Sequence, residues 1–372
     1  MQRKKKIAFV GNTSFSIYNF RFGVVRSFMN EYDVTIIAPR DEYSEFFSKE
    51  GIKYIEVPMD SKGTNIFKDI KLTMTLYSIY KKEKFDFVFH YTIKPVIYGS
   101  YACRLLNTKC IAITTGLGYT FRDKNIINTI VMHLYKFSLK KVQEVWFLNH
   151  DDRRIFIERG IVHEDNTFVL YGEGINSKHF SPAPKKFNDD KFRFLLFSRL
   201  LKDKGIVEYA MAAKNLHEKY PNMEFRLLGK ANNDTLENIP IKTIKEWEKN
   251  GFLIYLGESL DVRPFIADSD CVVLPSYYRE GIPRCLMEAM SMEKPIITTD
   301  NVGCIELISD GINGFQCKQK SVDDLVDKME RIYNLPEEKR LLMGKAGREI
   351  IKQKFDEEIV IREYQNKIKQ LI

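Results

Sequence analysis

Short apolar runs alternate with longer amphipathic stretches along the whole chain. The first half carries Lys6-Ile-Ala-Phe-Val-Gly11, Asp33-Val-Thr-Ile-Ile-Ala38, Ile52-Lys-Tyr-Ile-Glu-Val57, Asp86-Phe-Val-Phe89, Cys110-Ile-Ala-Ile-Thr114 and Glu144-Val-Trp-Phe-Leu148. The second half repeats the pattern with Phe192-Arg-Phe-Leu-Leu-Phe197, Glu224-Phe-Arg-Leu-Leu228, Leu253-Ile-Tyr-Leu256, Asp270-Cys-Val-Val-Leu274 and Pro295-Ile-Ile-Thr-Thr299. Continuous apolar runs bounded by turn residues read as strands buried on both faces, and the helical stretches between them make each sheet parallel. The pattern therefore predicts an α/β chain with two doubly wound, Rossmann-like domains. Between them, Gly172-Glu-Gly-Ile-Asn-Ser-Lys-His-Phe-Ser-Pro-Ala-Pro184 is rich in breakers and reads as the linker. We place the first domain at 1–176, the second at 177–350, and a final helix at 351–372 that is expected to pack back towards the first domain. In such sheets ligands sit beyond the carboxyl ends of the strands, so the loops that follow strands are where chemistry is expected.

A length of 372 residues suits two domains of about 150–200 residues each. With 44% hydrophobic and 29% charged residues the mixture is that of a globular protein, which excludes a disordered or fibrous chain. No stretch approaches the roughly 18 uninterrupted apolar residues of a membrane span. The opening Met1-Gln-Arg-Lys-Lys-Lys6 has the basic character of a signal peptide, yet the apolar run behind it, Ile7 to Val10, is too short for one. It reads as a charged tail entering the first strand. The cysteines at 103, 110, 271, 285, 304 and 317 form no C-x-x-C pair and stand in apolar contexts. They read as reduced core residues of a cytoplasmic protein with no zinc site.

Charge is unevenly placed along the chain. Residues 1–180 hold 27 Lys and Arg against 19 Asp and Glu, while 181–372 hold 31 of each, so the whole net charge of +8 belongs to the first half. Such an excess is either a solvated surface or an attraction to an anionic partner, such as a membrane face or a phosphate-bearing acceptor.

Candidate chemistry gathers in the second half. After the strand ending at Phe197 comes Ser198-Arg-Leu-Leu-Lys-Asp-Lys-Gly205, leading into a helical run from Ile206 to Lys219. Arg199 and Lys204 fall on the turn between strand end and helix start, where a diphosphate would meet backbone N–H groups. The pair reads either as cations for a leaving diphosphate or as a solvated basic turn. Further on, Pro275-Ser-Tyr-Tyr-Arg-Glu280-Gly-Ile-Pro-Arg-Cys-Leu-Met-Glu288-Ala-Met-Ser follows another buried strand. Pro283 suits a first helical turn, so a helix is expected from about that residue, with Glu280 in the loop before it and Glu288 in its second turn. The two carboxylates could hold a donor's sugar and ribose hydroxyls with the diphosphate at the positive helix end. A capping Glu280 and an ordinary surface Glu288 fit the spacing equally.

These residues resemble glycosyltransferase family four, whose members have the GT-B fold, two Rossmann-like domains facing a central cleft, and retain anomeric configuration. The resemblance is carried by Glu280 and Glu288 in Glu-Gly-Ile-Pro-Arg-Cys-Leu-Met-Glu, and by Arg199 and Lys204 upstream. Phe15-Ser-Ile-Tyr-Asn-Phe-Arg21, Thr92-Ile-Lys-Pro-Val-Ile-Tyr-Gly99 and Thr115-Gly-Leu-Gly118 are similar to a bacterial branch that adds N-acetylhexosamines, chiefly N-acetylgalactosamine, to undecaprenyl-diphosphate-linked sugars. By that resemblance Arg199 and Lys204 bind the diphosphate, Glu280 the donor sugar and Glu288 the ribose. Gly281 and Ile282 bring backbone to the donor, and Ser198 and Gly11 complete its site. Pro283 stands where many members have Gly, removing one N–H donor for which Arg284 could compensate. Many members also have a His in the loop that here reads Thr115-Gly-Leu-Gly118. No histidine is assigned a catalytic role, since His90 and His133 read equally as structural residues.

In the first half, Gly11-Asn-Thr-Ser14 closes the first strand but lacks the G-x-G-x-x-G spacing of a dinucleotide site. The resemblance turns this loop towards the acceptor or the donor diphosphate. Asn12, Asn19 and Arg21 at its edge, Lys94 after the fourth strand, and Thr115 and Gly116 after the fifth are the expected acceptor contacts. Residues Lys124 to Lys141 set Ile127, Ile130, Val131, Leu134, Phe137 and Ser138 on one helical side beside Lys136, Lys140 and Lys141, a pattern of either core packing or membrane contact. The implied partners are a nucleotide-diphosphate sugar, most simply UDP-linked, a lipid-linked saccharide and the cytoplasmic membrane face. The donor serves as substrate, no cofactor or metal is expected, and two cations take the place of a metal. Two other functions fit parts of the pattern: a GT-B nucleotide-sugar epimerase, and a polyanion-binding protein suggested by the isoelectric point of 8.9. No run interleaves basic and aromatic residues, so nucleic acid is not expected as a partner.

Overall fold

The computed structural model describes residues 3–60, 63, 65–117, 126–187, 189–231 and 237–372. It divides into two compact units, Met1–Gly174 with Glu357–Ile372, and Ile175–Asp356.

In the first unit, β1 (Lys6–Val10), β2 (Asp33–Ala38), β3 (Lys53–Glu56), β4 (Phe87–Tyr91), β5 (Lys109–Thr114), β6 (Glu144–Phe147) and β7 (Thr167–Val169) form one sheet. Its order is β3-β2-β1-β4-β5-β6-β7, and every pairing is parallel. The helices between strands are α1 (Ser14–Phe28), α2 (Ser44–Lys49), α3 (Ile66–Glu83), α4 (Ser100–Leu106), α5 (Ile126–Ser138) and α6 (His150–Glu158). Alternate residues of each strand face opposite helix layers. Ala8, Val10 and Val88 join Leu72 and Leu76 of α3, Ala102 of α4 and Tyr135 of α5 in one core cluster. On the other face Phe9 packs on Phe28 of α1 and on Phe89, at centroid distances of 5.9 and 5.1 Å. The C-terminal helix (Glu357–Leu371) completes that layer: Tyr364 lies 4.8 Å from Trp146 and 5.1 Å from Phe89, and Lys367 pairs with Glu144 at 2.7 Å. These contacts carry the last residues of the chain back to the first sheet.

The second unit repeats the plan with β8 (Phe192–Phe197), β9 (Met223–Leu228), β10 (Ile254–Tyr255), β11 (Cys271–Leu274), β12 (Ile296–Thr299) and β13 (Gly314–Cys317), in the order β10-β9-β8-β11-β12-β13. All pairings are again parallel. Its helices are α7 (Ile206–His217), α8 (Ile241–Lys249), α9 (Arg263–Ala267), α10 (Arg284–Ser291), α11 (Val322–Asn334) and α12 (Glu337–Ile350). Phe194, Tyr209, Leu216, Phe225 and Ile332 share its principal core, and each such side chain taken from water is worth roughly 1.5–3 kcal/mol. In both sheets the order reverses beside the first strand of the unit, β1 or β8, and the carboxyl ends there are the places where a doubly wound sheet holds ligands.

Among the described residues no helix is long and apolar enough to cross a membrane. The cysteines are free, and five of the six are buried. One grouping was not visible in their spacing: the ligand atoms of Cys103, Cys110 and His90 lie within 4.8 Å of one another in the first core. His90 Nε2 meets the Tyr80 hydroxyl at 3.0 Å and Nδ1 the Ser100 hydroxyl at 3.2 Å. A hydrogen bond from Cys103, helped by His90, draws the Cys110 thiol below its usual range, while burial pushes Cys103 up.

Candidate active site

The carboxyl ends of β8 and β11 are adjacent, because Cys271 and Val272 pair with Phe194 and Leu195. After β8 the chain runs through Ser198 and Arg199 into a single 3-10 turn, Lys202–Lys204, and then α7. Gly205 makes that junction with φ 75°, and a Cβ there would lie 2.2 Å from the Pro275 carbonyl oxygen, so only glycine lets the two loops meet. The Asp203 carbonyl accepts the N–H groups of Tyr277 and Tyr278, each at 2.9 Å. Backbone contact thus brings the basic turn against the segment that carries the two glutamates.

Lys204 and Glu280, 76 residues apart in sequence, form a buried ion pair. Ser276 Oγ lies 3.2 Å from the same Glu280 oxygen and 3.2 Å from the Asp203 carbonyl, which fixes the carboxylate to both loops. The Tyr278 ring lies under both cations, 5.2 Å from Lys204 Nζ and 5.8 Å from Arg199 Cζ, within cation–π range. Arg199 itself is exposed and Ser198 half-buried. Lys204 is therefore no solvated turn residue: it is 7% exposed and its charge is matched by Glu280.

Helix α10 begins at Arg284, with Pro283 as its extended cap at φ −71° and ψ 112°. Proline's fixed φ suits the cap as it would the first turn expected from sequence, and the Pro283 carbonyl accepts from Leu286 N at 3.2 Å. Gly281, Ile282 and Pro283 are buried before the helix. The Gly303 backbone packs on them, since a Cβ at its φ of 80° would lie 2.4 Å from the Gly281 oxygen. Glu288 occupies the second turn, and Arg284 Nε reaches its Oε1 at 2.8 Å. Unlike an ordinary surface glutamate it is buried, and burial raises its carboxyl above the usual range, with Arg284 opposing.

A carboxyl whose folded pKa is raised binds protons more tightly in the folded state, so its charge destabilises the fold at pH above that raised value. The cost vanishes below the unfolded value. Glu288→Gln should therefore leave the melting temperature at pH 7 unchanged or raise it and, by the ribose role that the family resemblance implies, should weaken nucleotide binding by about tenfold. Calorimetric melting and UDP titration on one sample check both parts. A large stability loss with unaltered UDP affinity would make Glu288 a structural residue.

In the first unit Gly11, expected at the donor, and the expected acceptor residues separate into two groups. Gly11 and Asn12 follow β1, and Thr115 and Gly116 follow β5, so these four lie at carboxyl ends of strands; Gly118 lies outside the described residues. Asn19 and Arg21 stand on α1 instead of the loop edge expected for them, because Thr13 caps the helix by accepting from Ser16 N. Asn19 Nδ2 donates to the Phe15 carbonyl at 3.1 Å. Arg21 is 4% exposed: it pairs with Glu173, donates to the Ser16 carbonyl at 2.7 Å and lies 4.3 Å over Tyr91. Lys94 pairs with Asp69 at 2.6 Å, and Tyr98 donates to the other oxygen of that carboxylate at 2.8 Å. His133 is exposed on α5, and His90 is a core residue.

The family described as "Glycosyl transferases group 1" matches residues 177–350, and "Glycosyl transferase 4-like" matches residues 6–149. Together they cover most of both units. The chain is a glycosyltransferase. It is 29% identical, over 96% of its length and 97% of the relative's, to the N,N'-diacetylbacillosaminyl-diphospho-undecaprenol alpha-1,3-N-acetylgalactosaminyltransferase of Campylobacter jejuni. It is 25% identical, over 81% of its length and 80% of the relative's, to the UDP-Gal:alpha-D-GlcNAc-diphosphoundecaprenol alpha-1,3-galactosyltransferase of Escherichia coli. Among solved structures, a glycosyltransferase from Rickettsia africae superposes with a TM-score of 0.82 at 20% identity, covering 99% of both chains. The fold class is thus GT-B, with two parallel-sheet Rossmann-like units. The cluster around Lys204 and Glu280 includes two residues that the sequence reading did not single out, Ser276 and Tyr278. Ser276 stands four residues before Glu280, directly after a buried strand, and that placement was the available signal.

Proposed function

We propose that the transferase moves a hexose or N-acetylhexosamine from a UDP-linked donor, held by the second unit, to a lipid-linked saccharide at the cytoplasmic membrane face, in bacterial surface glycan synthesis. The observation that carries the reading is the buried Lys204–Glu280 pair beside the exposed Arg199 at the switch point of a parallel sheet. The names of the two relatives, one UDP-dependent and both acting on diphosphoundecaprenol-linked sugars, support the donor and acceptor classes.

In this reading the diphosphate leaves with growing negative charge. Arg199, Lys204 and the amino end of α10 stabilise it through charges already fixed in place. Glu280 holds the donor sugar, Glu288 the ribose, and Ser198, Gly281, Ile282, Pro283 and Arg284 shape the pocket around the nucleotide. Both relatives are named as forming alpha-1,3 links, and with an α-linked donor an α product means retention. The acceptor hydroxyl would then enter on the departing face and pass its proton to the diphosphate oxygen. Asn12, Thr115 and Gly116 present the acceptor, and Arg21 and Lys94, bound to internal carboxylates, hold the elements beneath those loops.

Two cations make a metal unnecessary for this step. The chain's Asp268-Ser-Asp270 has the pattern of a metal-binding pair but precedes β11, at the amino end of the sheet. Asp268 accepts from Lys186 N, and Asp270 accepts from Arg193 N at 2.9 Å and pairs with Lys185. Titration with UDP in a chelator tests the donor site. The parent should bind unaltered, and Arg199→Ala, whose side chain is exposed, should bind about tenfold more weakly with an unchanged melting temperature. Loss of binding in chelator, restored by magnesium or manganese, would overturn metal independence.

A further inference from the structure

Most large apolar side chains that a sheet protein leaves in water are scattered, and a gathered set marks a contact surface. Among the described residues of the first unit, seven of the eight large apolar side chains that are exposed stand on one helix layer. On α3 these are Ile66, Phe67, Ile70 and Met74, with Phe67 at 80% and Met74 at 65% exposure. Leu105 of α4 and Ile130 and Phe137 of α5 are the others. The spacing 66, 67, 70 and 74 is one face of a helix, opposite the face on which Leu72, Leu76 and Tyr80 enter the core.

The three helices form a continuous layer. Leu76, Ala102 and Tyr135, one from each, share a core cluster on the same side of the sheet. Asp69 of α3 is tied to Lys94 and Tyr98 of the π-helical turn that runs into α4. Phe137 of α5 lies 5.3 Å from the Tyr101 ring and 4.5 Å from the Arg104 guanidinium of α4. The α5 stripe read from sequence divides accordingly. Val131 and Leu134 pack on the core and Ser138 is buried, whereas Ile130 and Phe137 point outward; Lys124 and the Ile127 side chain lie outside the described residues.

Charge identifies the partner. From Ile66 to Glu83, Ser100 to Leu106 and Ile126 to Lys141 the layer carries eight Lys and Arg and two acidic residues, Asp69 and Glu83. Both acids are in ion pairs, with Lys94 and Lys53. Lys68, Lys71, Lys136, Lys140 and Lys141 are exposed around the apolar side chains. Outward Phe, Ile and Met ringed by lysine is the composition that enters the boundary between acyl chains and anionic headgroups.

We propose that the outer face of α3, α4 and α5 docks this transferase on an anionic lipid bilayer, with Phe67, Ile70 and Met74 inserted below the headgroups and the lysines among the phosphates. The proposal rests on the reading of the acceptor as lipid-linked, for which it supplies the surface where the enzyme meets its substrate. Each lysine near an anionic surface contributes roughly fivefold to partitioning, and salt weakens that part over a Debye length of about 8–10 Å.

Vesicles of phosphatidylethanolamine with phosphatidylglycerol, and vesicles of phosphatidylcholine alone, are sedimented with the full chain and two variants. One variant carries Phe67→Ser, Ile70→Ser and Met74→Ser; the other carries Lys68→Gln, Lys71→Gln, Lys136→Gln and Lys140→Gln. The parent should bind the anionic vesicles, and binding should fall with salt. Each variant should bind about tenfold or more weakly while still glycosylating a detergent-dispersed acceptor like the parent. Circular dichroism melting confirms that the exposed changes leave the fold intact. A parent that ignores anionic vesicles at low salt yet transfers sugar in detergent overturns the docking surface alone, and would give this face to a protein partner or a second copy. Variants that bind like the parent overturn it equally. Vesicle binding without transfer to any lipid-linked acceptor would instead remove the functional reading on which the proposal rests.

Discussion

Lys204→Ala is expected to cost the second unit about 3–5 kcal/mol of stability and to abolish transfer, the largest combined effect of any single change in the site. The physical reason is the pairing of Lys204 with Glu280 at side-chain exposures of 8% and 9%. Removing the ammonium takes away the cation paired with a buried carboxylate, so the cost of burying that charge is no longer offset by the charge of Lys204. For a unit of this size the loss corresponds to a fall in melting temperature of roughly 10 °C. Replacing both partners, as Lys204→Met with Glu280→Leu, should restore most of the stability, since no charge is then stranded, while activity stays absent. The pair of variants separates the two duties of Lys204. A single variant that melts like the parent would show the pair to be open to water, and a double variant with activity would remove it from the chemistry.

Glu280→Gln should lower turnover by about ten- to a hundredfold and leave UDP affinity nearly unaltered. The amide oxygen can still accept from Lys204 and Ser276, so the loss of stability should be smaller than for Lys204→Ala. What disappears is the proposed charge-assisted bond to a sugar hydroxyl, and an interaction made with the sugar has no part in binding the free nucleotide. With its counter-charge gone, Lys204 is left with a stronger field towards the diphosphate, so UDP should bind as tightly as before or more so. Steady-state turnover of a UDP-sugar and calorimetric titration with UDP read the two quantities independently. Unchanged turnover would take Glu280 out of the site. A matched loss of UDP affinity would move its contact from the sugar to the nucleotide.

The central strands were legible because a strand covered on both faces must be apolar throughout. β2 and β8 coincide with the runs read from sequence, and the other interior strands differ from theirs by a residue or two at the ends. The two strands that the pattern missed, β7 and β13, are both sheet edges. An edge strand pairs on one side, and Thr167–Val169 is only half-buried, so no continuous apolar run marks it. In the site, the spacing of Glu280 and Glu288 and the basic turn at Arg199 and Lys204 were visible, but their alternatives could not be separated by spacing. Burial decided against a solvated Lys204 and a surface Glu288, and burial depends on residues far apart in the chain, as when the Gly205 backbone admits Pro275. Arg21 and Lys94, read from the sequence as acceptor contacts, are held by Glu173 and Asp69, and those pairings join elements whose meeting the spacing could not show. The meeting of His90, Cys103 and Cys110 was hidden for the same reason, since a strand, a helix and a second strand each contribute one member.

The most direct measurement is the mass of the acceptor. The purified chain is incubated in a chelator with a UDP-linked hexose or N-acetylhexosamine and an undecaprenyl-diphosphate-linked saccharide, and lipid and nucleotide products are analysed together. By the proposed transfer, the lipid-linked saccharide gains one sugar residue while UDP appears in equal amount, and no UDP is released when the acceptor is left out. Release of UDP or of an epimerised sugar with the mass of the acceptor unchanged, across a panel of such donors and acceptors, would contradict it.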